Sequence, residues 1–243
     1  MKMCLLDSKN PTNTWDQLKN KYQQLGQKIN ALQIKRLHYQ NTNGTDLFID
    51  LPEEHQWCTP FSTDYFGNDF MTNMPSYEIF TSPIAHATNG TVFFSKPLVL
   101  SRQKNYIIDH FGLTFKNGEV IDIIAPNQQD YNELSDFFSA HPNAKFLGEC
   151  AIVENDTPIC KTDTLFYHGL LDENAACHLA LGFAFPEAIK HGIHMSHEEL
   201  KKTGINLSSG AHIDAMMETN HLEIEAETKN GKQLIYQNGK ITI

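Results

Sequence analysis

The chain has 243 residues, 40% hydrophobic and 10% aromatic, enough apolar side chain to build a real core and too much for wholesale disorder. With 19 Lys+Arg against 29 Asp+Glu the net charge is −10, which repels phosphate backbones and anionic membrane surfaces, so neither nucleic acid nor a membrane is expected as a partner. No run of about 18 apolar residues could span a bilayer, and the start turns polar too early for a signal peptide. The five cysteines (Cys4, Cys58, Cys150, Cys160, Cys177) contain no C-x-x-C, which excludes a disulfide scaffold or a thiolate zinc knuckle and predicts reduced thiols in the cytoplasm.

Trp15, Leu18, Tyr22, Leu25, Ile29 and Leu32 recur at steps of three and four and predict a helix, with Asn13 or Thr14 as its cap. A hairpin is expected next, from Ile34 to Gln40 and Leu47 to Ile49 around Asn43-Gly44. Residues 53–90, dense in Pro, Gly, Asn and Thr, read as irregular loop with short strands, a place where sites often sit. Val92 to Leu100 predicts a strand, and Leu113 to Ile124 a second hairpin around Lys116-Asn117-Gly118. Pro126 to Ala140 predicts a helix with Tyr131, Leu134, Phe137 and Phe138 inward. A helix capped by Asp172 or Asn174 is expected to run through His178 to about Ala184. Ser196-x-x-Glu199 is a capping box with Gly204 as the stop, and the tail from Leu222 to Ile243 reads as a β-meander. The class is α+β, with a largely antiparallel sheet and flanking helices in one domain over residues 1–243.

Four acids and two histidines carry the chemical signal. Within Leu171 to Gly182, Glu173 lies beside the helix dipole, which keeps it ionised. His178 follows five residues later, about 500° of helical turn. On a helix the two would not share a face, so joint action needs Glu173 in the preceding loop; otherwise they are a capping acid and a core histidine. His212-x-Asp214 on a strand puts imidazole and carboxylate on one face, as two ligands of a divalent metal or as a ligand and its orienting partner. Glu78 and Glu149 are lone acids in apolar runs, and burying such an acid requires a ligand or a cation, for which Lys96, Arg102 and Lys145 are the candidates. His191, His194 and His197 read as surface, because only exposed acids neighbour them. No G-x-S-x-G, Walker loop or G-x-G-x-x-G is present. The donor set suits a pair of Zn, Co, Mn or Mg ions and hence a hydrolase, without choosing the bond.

These motifs together resemble the thermophilic-type metallo-aminopeptidases, the group of aminopeptidase T, aminopeptidase S and PepS. The matching pieces are G-T-D-L at 44–47, N-M-P-S-Y-E-I-F-T at 73–81, L-G-E at 147–149, L-D-E-N-A-A-C-H-L-A-L-G at 171–182, and G-x-N-x-S followed by H-x-D at 204–214. The resemblance implies two divalent metal ions held by Glu78, Glu149, His178, His212 and Asp214, with Glu173 a further ligand or the general base. It implies release of N-terminal residues from peptides by metal-activated water, and a homodimer. The family's N-terminal α/β domain is expected to be absent here. Phe185 stands where the family has a tyrosine, so Phe185, Glu149 and Glu173 mark the expected catalytic positions. The run Ser208–His212 is one residue longer than the family's, and residues 215–218 lack its glycine. A catalytically weak homologue that binds metal or peptide ends is the alternative that Phe185 raises.

Overall fold

The computed structural model describes residues 1–100 and 106–243. Among them an antiparallel sheet of eight strands runs Glu119–Ile124, Phe111–Lys116, Thr88–Phe94, Asp46–Asp50, Arg36–Gln40, Glu223–Thr228, Gly231–Gln237 and Lys240–Ile241. Its hairpins turn where the sequence places them. Asn117 and Gly118 take φ of 51° and 82°, the left-handed pair a two-residue primed turn needs. A Cβ on Gly118 would sit 1.9 Å from the Ala85 carbonyl oxygen.

A second antiparallel sheet is ordered His212–Met216, His178–Gly182, Leu147–Val153, Glu78–Thr81. Leu147–Val153 and His178–Gly182 are buried at every position, so their alternate residues can serve the core on one side and the site on the other. Ile79, Cys150, Ile152, Leu179 and Leu181 join the main core, which also takes Leu37, Leu47, Ile49, Leu113, Ile224 and Tyr236 from the large sheet. Each fully buried aliphatic side chain contributes about 1.5–3 kcal/mol.

The helix Pro11–Ala31 buries Tyr22, Leu25 and Ile29 as its period predicts. The Tyr22 hydroxyl donates to the Tyr77 carbonyl at 2.6 Å and so ties this helix to the start of the Glu78 strand. Its cap is Asn10 with Pro11 in the first turn, not Asn13 or Thr14; a proline at that position loses no helical hydrogen bond. The capping box at Ser196 and Glu199, the left-handed stop at Gly204 and the C-terminal meander all form.

Three expectations are corrected. The helix through His178 is instead a short helix, Gly169–Glu173, followed by the strand His178–Gly182. The Ala and Leu residues there favour helix intrinsically, but a fully buried apolar run between two partner strands satisfies its backbone in the sheet. The strand expected over 92–100 is two pieces, Thr88–Phe94 and Leu98–Val99, with Pro97, which has no N–H for a ladder, between them. In the helix Gln128–Ala140, Leu134 and Phe138 are buried while Tyr131 is exposed. None of the helices over the described residues is long and apolar enough to cross a membrane.

Candidate metal centre

The small sheet builds the site by register. Ala180 lies opposite Glu149 on one neighbouring strand and Asp214 on the other. In the adjacent row Ala151 lies between Phe80 and His178. The alanines are completely buried, and their small side chains leave room above the sheet for the acids and imidazoles to converge. A bulge at Gly148, between Leu147 and Glu149, sets the glutamate's direction. A Cβ at Gly148 would come within 2.3 Å of the Phe183 carbonyl oxygen, so this crossing admits only glycine.

His178 Nε2 is 3.2 Å from Glu78 Oε2 and 3.6 Å from Glu149 Oε1. His212 Nε2 is 3.7 Å from Glu149 Oε2 and 3.5 Å from Asp214 Oδ1. Glu149 therefore turns one oxygen to each histidine. Both imidazoles are oriented from behind: His178 Nδ1 lies 3.0 Å from the Ala176 carbonyl and His212 Nδ1 2.7 Å from that of Phe183. Donation by Nδ1 to a carbonyl leaves Nε2 as the free lone pair, the arrangement of a metal-ligating histidine. Glu78 Oε2 is buried, with His178 Nε2 as its near neighbour, and donor atoms of Glu78, Glu149 and His178 lie within 4.8 Å of one another.

The cations that could have explained the lone acids are elsewhere. Lys145 pairs with Glu119 at 3.4 Å, Lys96 makes no ion pair with either acid among the described residues, and Arg102 lies outside them. Burial, Glu78 and Asp214 push the Glu149 carboxyl up to about 7, opposed by the hydrogen bond to His178. Burial and the charges of Glu78 and Asp214 push Glu173 up to about 8. Burial alone would lower both imidazoles, but hydrogen bonds to Glu149 and Glu78 raise His178, and Asp214 with Glu149 raises His212 to about 9. Asp214 is held low in spite of burial by His212, His178 and a hydrogen bond with Glu173. The cluster thus holds protons where its geometry offers lone pairs, the electrostatic balance of a site shaped for cations.

Glu173 lines the cleft as the last residue of its short helix, not at a helix start, so the dipole expected to keep it ionised does not do so, and no helical phase separates it from His178. Asn174 fixes it there: its Oδ1 accepts from the Tyr77 N–H at 2.5 Å and its Nδ2 donates to the Leu170 carbonyl at 2.9 Å. Asp172 is not a cap; it accepts from the N–H groups of Phe166 and His168 at 2.7 and 2.8 Å. The Phe185 ring lies against His212, 4.7 Å between centroids. Glu78, Glu149, Glu173, Phe185, His212 and Asp214 line a cleft of about 1330 Å³. His191, His194 and His197 are exposed.

Sequence reasoning missed Asn143. It is 7% exposed, and it clamps the loop before His212: Nδ2 donates to Ser208 O at 3.2 Å and Ala211 O at 2.8 Å, while Oδ1 accepts from Ala211 N at 3.2 Å. Nothing near Asn143 in the sequence signals the role, because its partners are 65 and 68 residues away.

The chain is 38% identical over 242 residues to aminopeptidase AmpS of Bacillus subtilis (strain 168), covering 98% of this chain and 57% of that protein. It is 36% identical to aminopeptidase 2 of Geobacillus stearothermophilus, covering 94% and 54%; the chain thus spans about half the length of these relatives. Wild-type AmpT from Thermus thermophilus superimposes with a TM-score of 0.85 at 28% identity, over 96% of this chain and 56% of that one. A 2,5-dihydroxypyridine dioxygenase from Pseudomonas putida KT2440 shares the fold, with a TM-score of 0.61 at 13% identity over 91% of this chain and 59% of that one. The model of the thermophilic metalloprotease (M29) family matches residues 1–241, and the chain belongs to that family.

Proposed function

We propose that this chain carries the catalytic centre of a metallo-aminopeptidase that uses two divalent metal ions. The observation that carries the reading is Glu149, whose two oxygens face two different histidines, each joined by a further carboxylate. Glu78, Glu149 and His178 would hold one ion, and Glu149, His212 and Asp214 the other. When bound, the ions supply Lewis acidity to the scissile carbonyl and lower the pKa of water. The burial of Glu78 and Glu149 with no Lys or Arg paired to them among the described residues, and the oriented Nε2 atoms, support the fit.

The remaining tasks fall to the chain's own groups. Glu173, which lines the cleft and shares a hydrogen bond with Asp214, would act as the carboxylate that takes a proton from the attacking water and then delivers it to the leaving amine. The peptide's ammonium group has carboxylates to meet at the cleft floor. Phe185 favours a second reading, a weak or inactive homologue, because its ring carries no hydroxyl to donate to a developing oxyanion. Elemental analysis together with leucyl-p-nitroanilide turnover after adding Co²⁺ or Zn²⁺ separates the readings. Two ions per chain with turnover supports the enzyme, ions without turnover the homologue, and no ion overturns both.

A further inference from the structure

Directly beside the ligating groups the cleft has an aromatic corner. Phe80 and Phe185 both line the cleft and both are half-buried. Their rings meet edge to face, with centroids 6.1 Å apart and planes at 70°. Phe183 braces Phe185 in the same way, at 6.1 Å and 85°, and Phe185 in turn lies on His212. Phe80 is pinned on both sides: its backbone pairs with Ala151, and it exchanges hydrogen bonds of 2.8 and 3.1 Å with Cys58. The corner is therefore preorganised, which lowers the ordering cost of binding. Further out the lining turns polar, with Gln23, Asn30, Gln56, Ser62 and Asn73.

We propose that Phe80 and Phe185 form the subsite for the side chain of the peptide's first residue, and that Phe185 makes the chain select bulky apolar N-terminal residues. The inference rests on the aminopeptidase reading in one respect, that the first residue's carbonyl comes to His178 and His212. That residue's side chain leaves the atom next to the carbonyl, so it must lie within a few ångströms of His212, where Phe185 sits. A leucine or phenylalanine side chain covers the two rings and removes apolar surface from water on both partners. Glycine leaves the rings wet. A lysine side chain would have to bring its charged ammonium out of water against two apolar rings, which costs free energy. Burial of one such side chain corresponds to a preference of about 10- to 100-fold over glycine.

The test uses the full chain loaded with Co²⁺ or Zn²⁺. Turnover of leucyl-, phenylalanyl-, glycyl- and lysyl-p-nitroanilides is measured alongside calorimetric binding of the four free amino acids. Leucine and phenylalanine are expected to lead glycine and lysine by at least about tenfold in both series. In Phe185→Ser and Phe80→Ala, each checked for wild-type metal content, the leucine-to-glycine ratio is expected to fall toward one, while Phe185→Tyr keeps it. Turnover of all four without preference overturns the subsite and leaves the aminopeptidase reading standing. Leucine-selective binding without turnover overturns the activity and leaves the subsite standing. Neither binding nor turnover overturns both.

Discussion

Replacing Asn143 with alanine removes three hydrogen bonds from one buried side chain, those to Ser208 O, Ala211 O and Ala211 N. Each is worth roughly 0.5–1.5 kcal/mol net. Because the side chain is 93% buried, the groups left behind have little water to turn to, so the loss is about 3 kcal/mol. For a chain of this size that lowers Tm by roughly 6–12 °C. The clamp also fixes the loop that delivers His212, which is otherwise held by its strand pairing with Gly182 and by the 2.7 Å contact of Nδ1 with Phe183 O. Metal affinity is therefore expected to fall by about 10–100-fold, the usual range for loss of a partner that orients a ligand. Differential scanning calorimetry of the metal-free chain and calorimetric titration with Zn²⁺ read the two effects separately. A Tm within about 2 °C of wild type, with unchanged affinity, would refute the clamp.

Glu149→Ala and His212→Ala are each expected to abolish binding of the metal pair, and retention of two ions per chain in both, by elemental analysis, would sink the ligand assignment. His194→Ala and His197→Ala are expected to be silent in metal content and turnover, since both side chains are exposed; a large loss in either would expose a second site. Phe185→Tyr restores a phenol beside His212 and is expected to raise kcat about 100-fold, the scale of one oxyanion donor, with an unchanged kcat speaking against that role. In the metal-free chain Glu149 at about 7, Glu173 at about 8 and His212 at about 9 all lie above their ordinary values. The folded state then binds more protons than the unfolded state between roughly pH 4.5 and 9, so stability falls as pH rises through that window. Asp214, shifted downward, acts only below it. A Tm of the chelator-treated chain that climbs from pH 5 to pH 9 would contradict this sign.

The hairpins and the first helix were legible because local signals and tertiary structure agree: Asn-Gly pairs at left-handed positions, and a 3.6-residue period over Tyr22, Leu25 and Ile29. The strand His178–Gly182 was not legible, because its Leu and Ala residues favour helix and only burial between two partners decides otherwise. The geometry of Glu173 was hidden for the same reason, since its separation from His178 is that of a helix end from the start of a strand and not a helical phase. The acids Glu78 and Glu149 could be singled out because a lone carboxylate in an apolar run demands an explanation. Asn143 could not, since an asparagine after a helix has many ordinary uses.

Fold alone does not choose the chemistry, as the dioxygenase with the same architecture illustrates. What separates the possibilities is the donor set. A mononuclear iron oxygenase of the facial-triad kind needs two histidines and one carboxylate around a single ion, with positions left open. Here three carboxylates accompany two histidines, and Glu149 stands between the imidazoles with one oxygen toward each. A single ion at His178 would leave His212 and Asp214 outside its shell, while a single ion at His212 would leave out Glu78 and His178. On the proposed reading, two ions would engage Glu78, Glu149, His178, His212 and Asp214 together, and would supply activated water and a polarised scissile carbonyl. Such a pair would depend on one carboxylate, Glu149. Glu149→Gln, which keeps the shape and removes the charge, is the substitution that weighs most heavily on it.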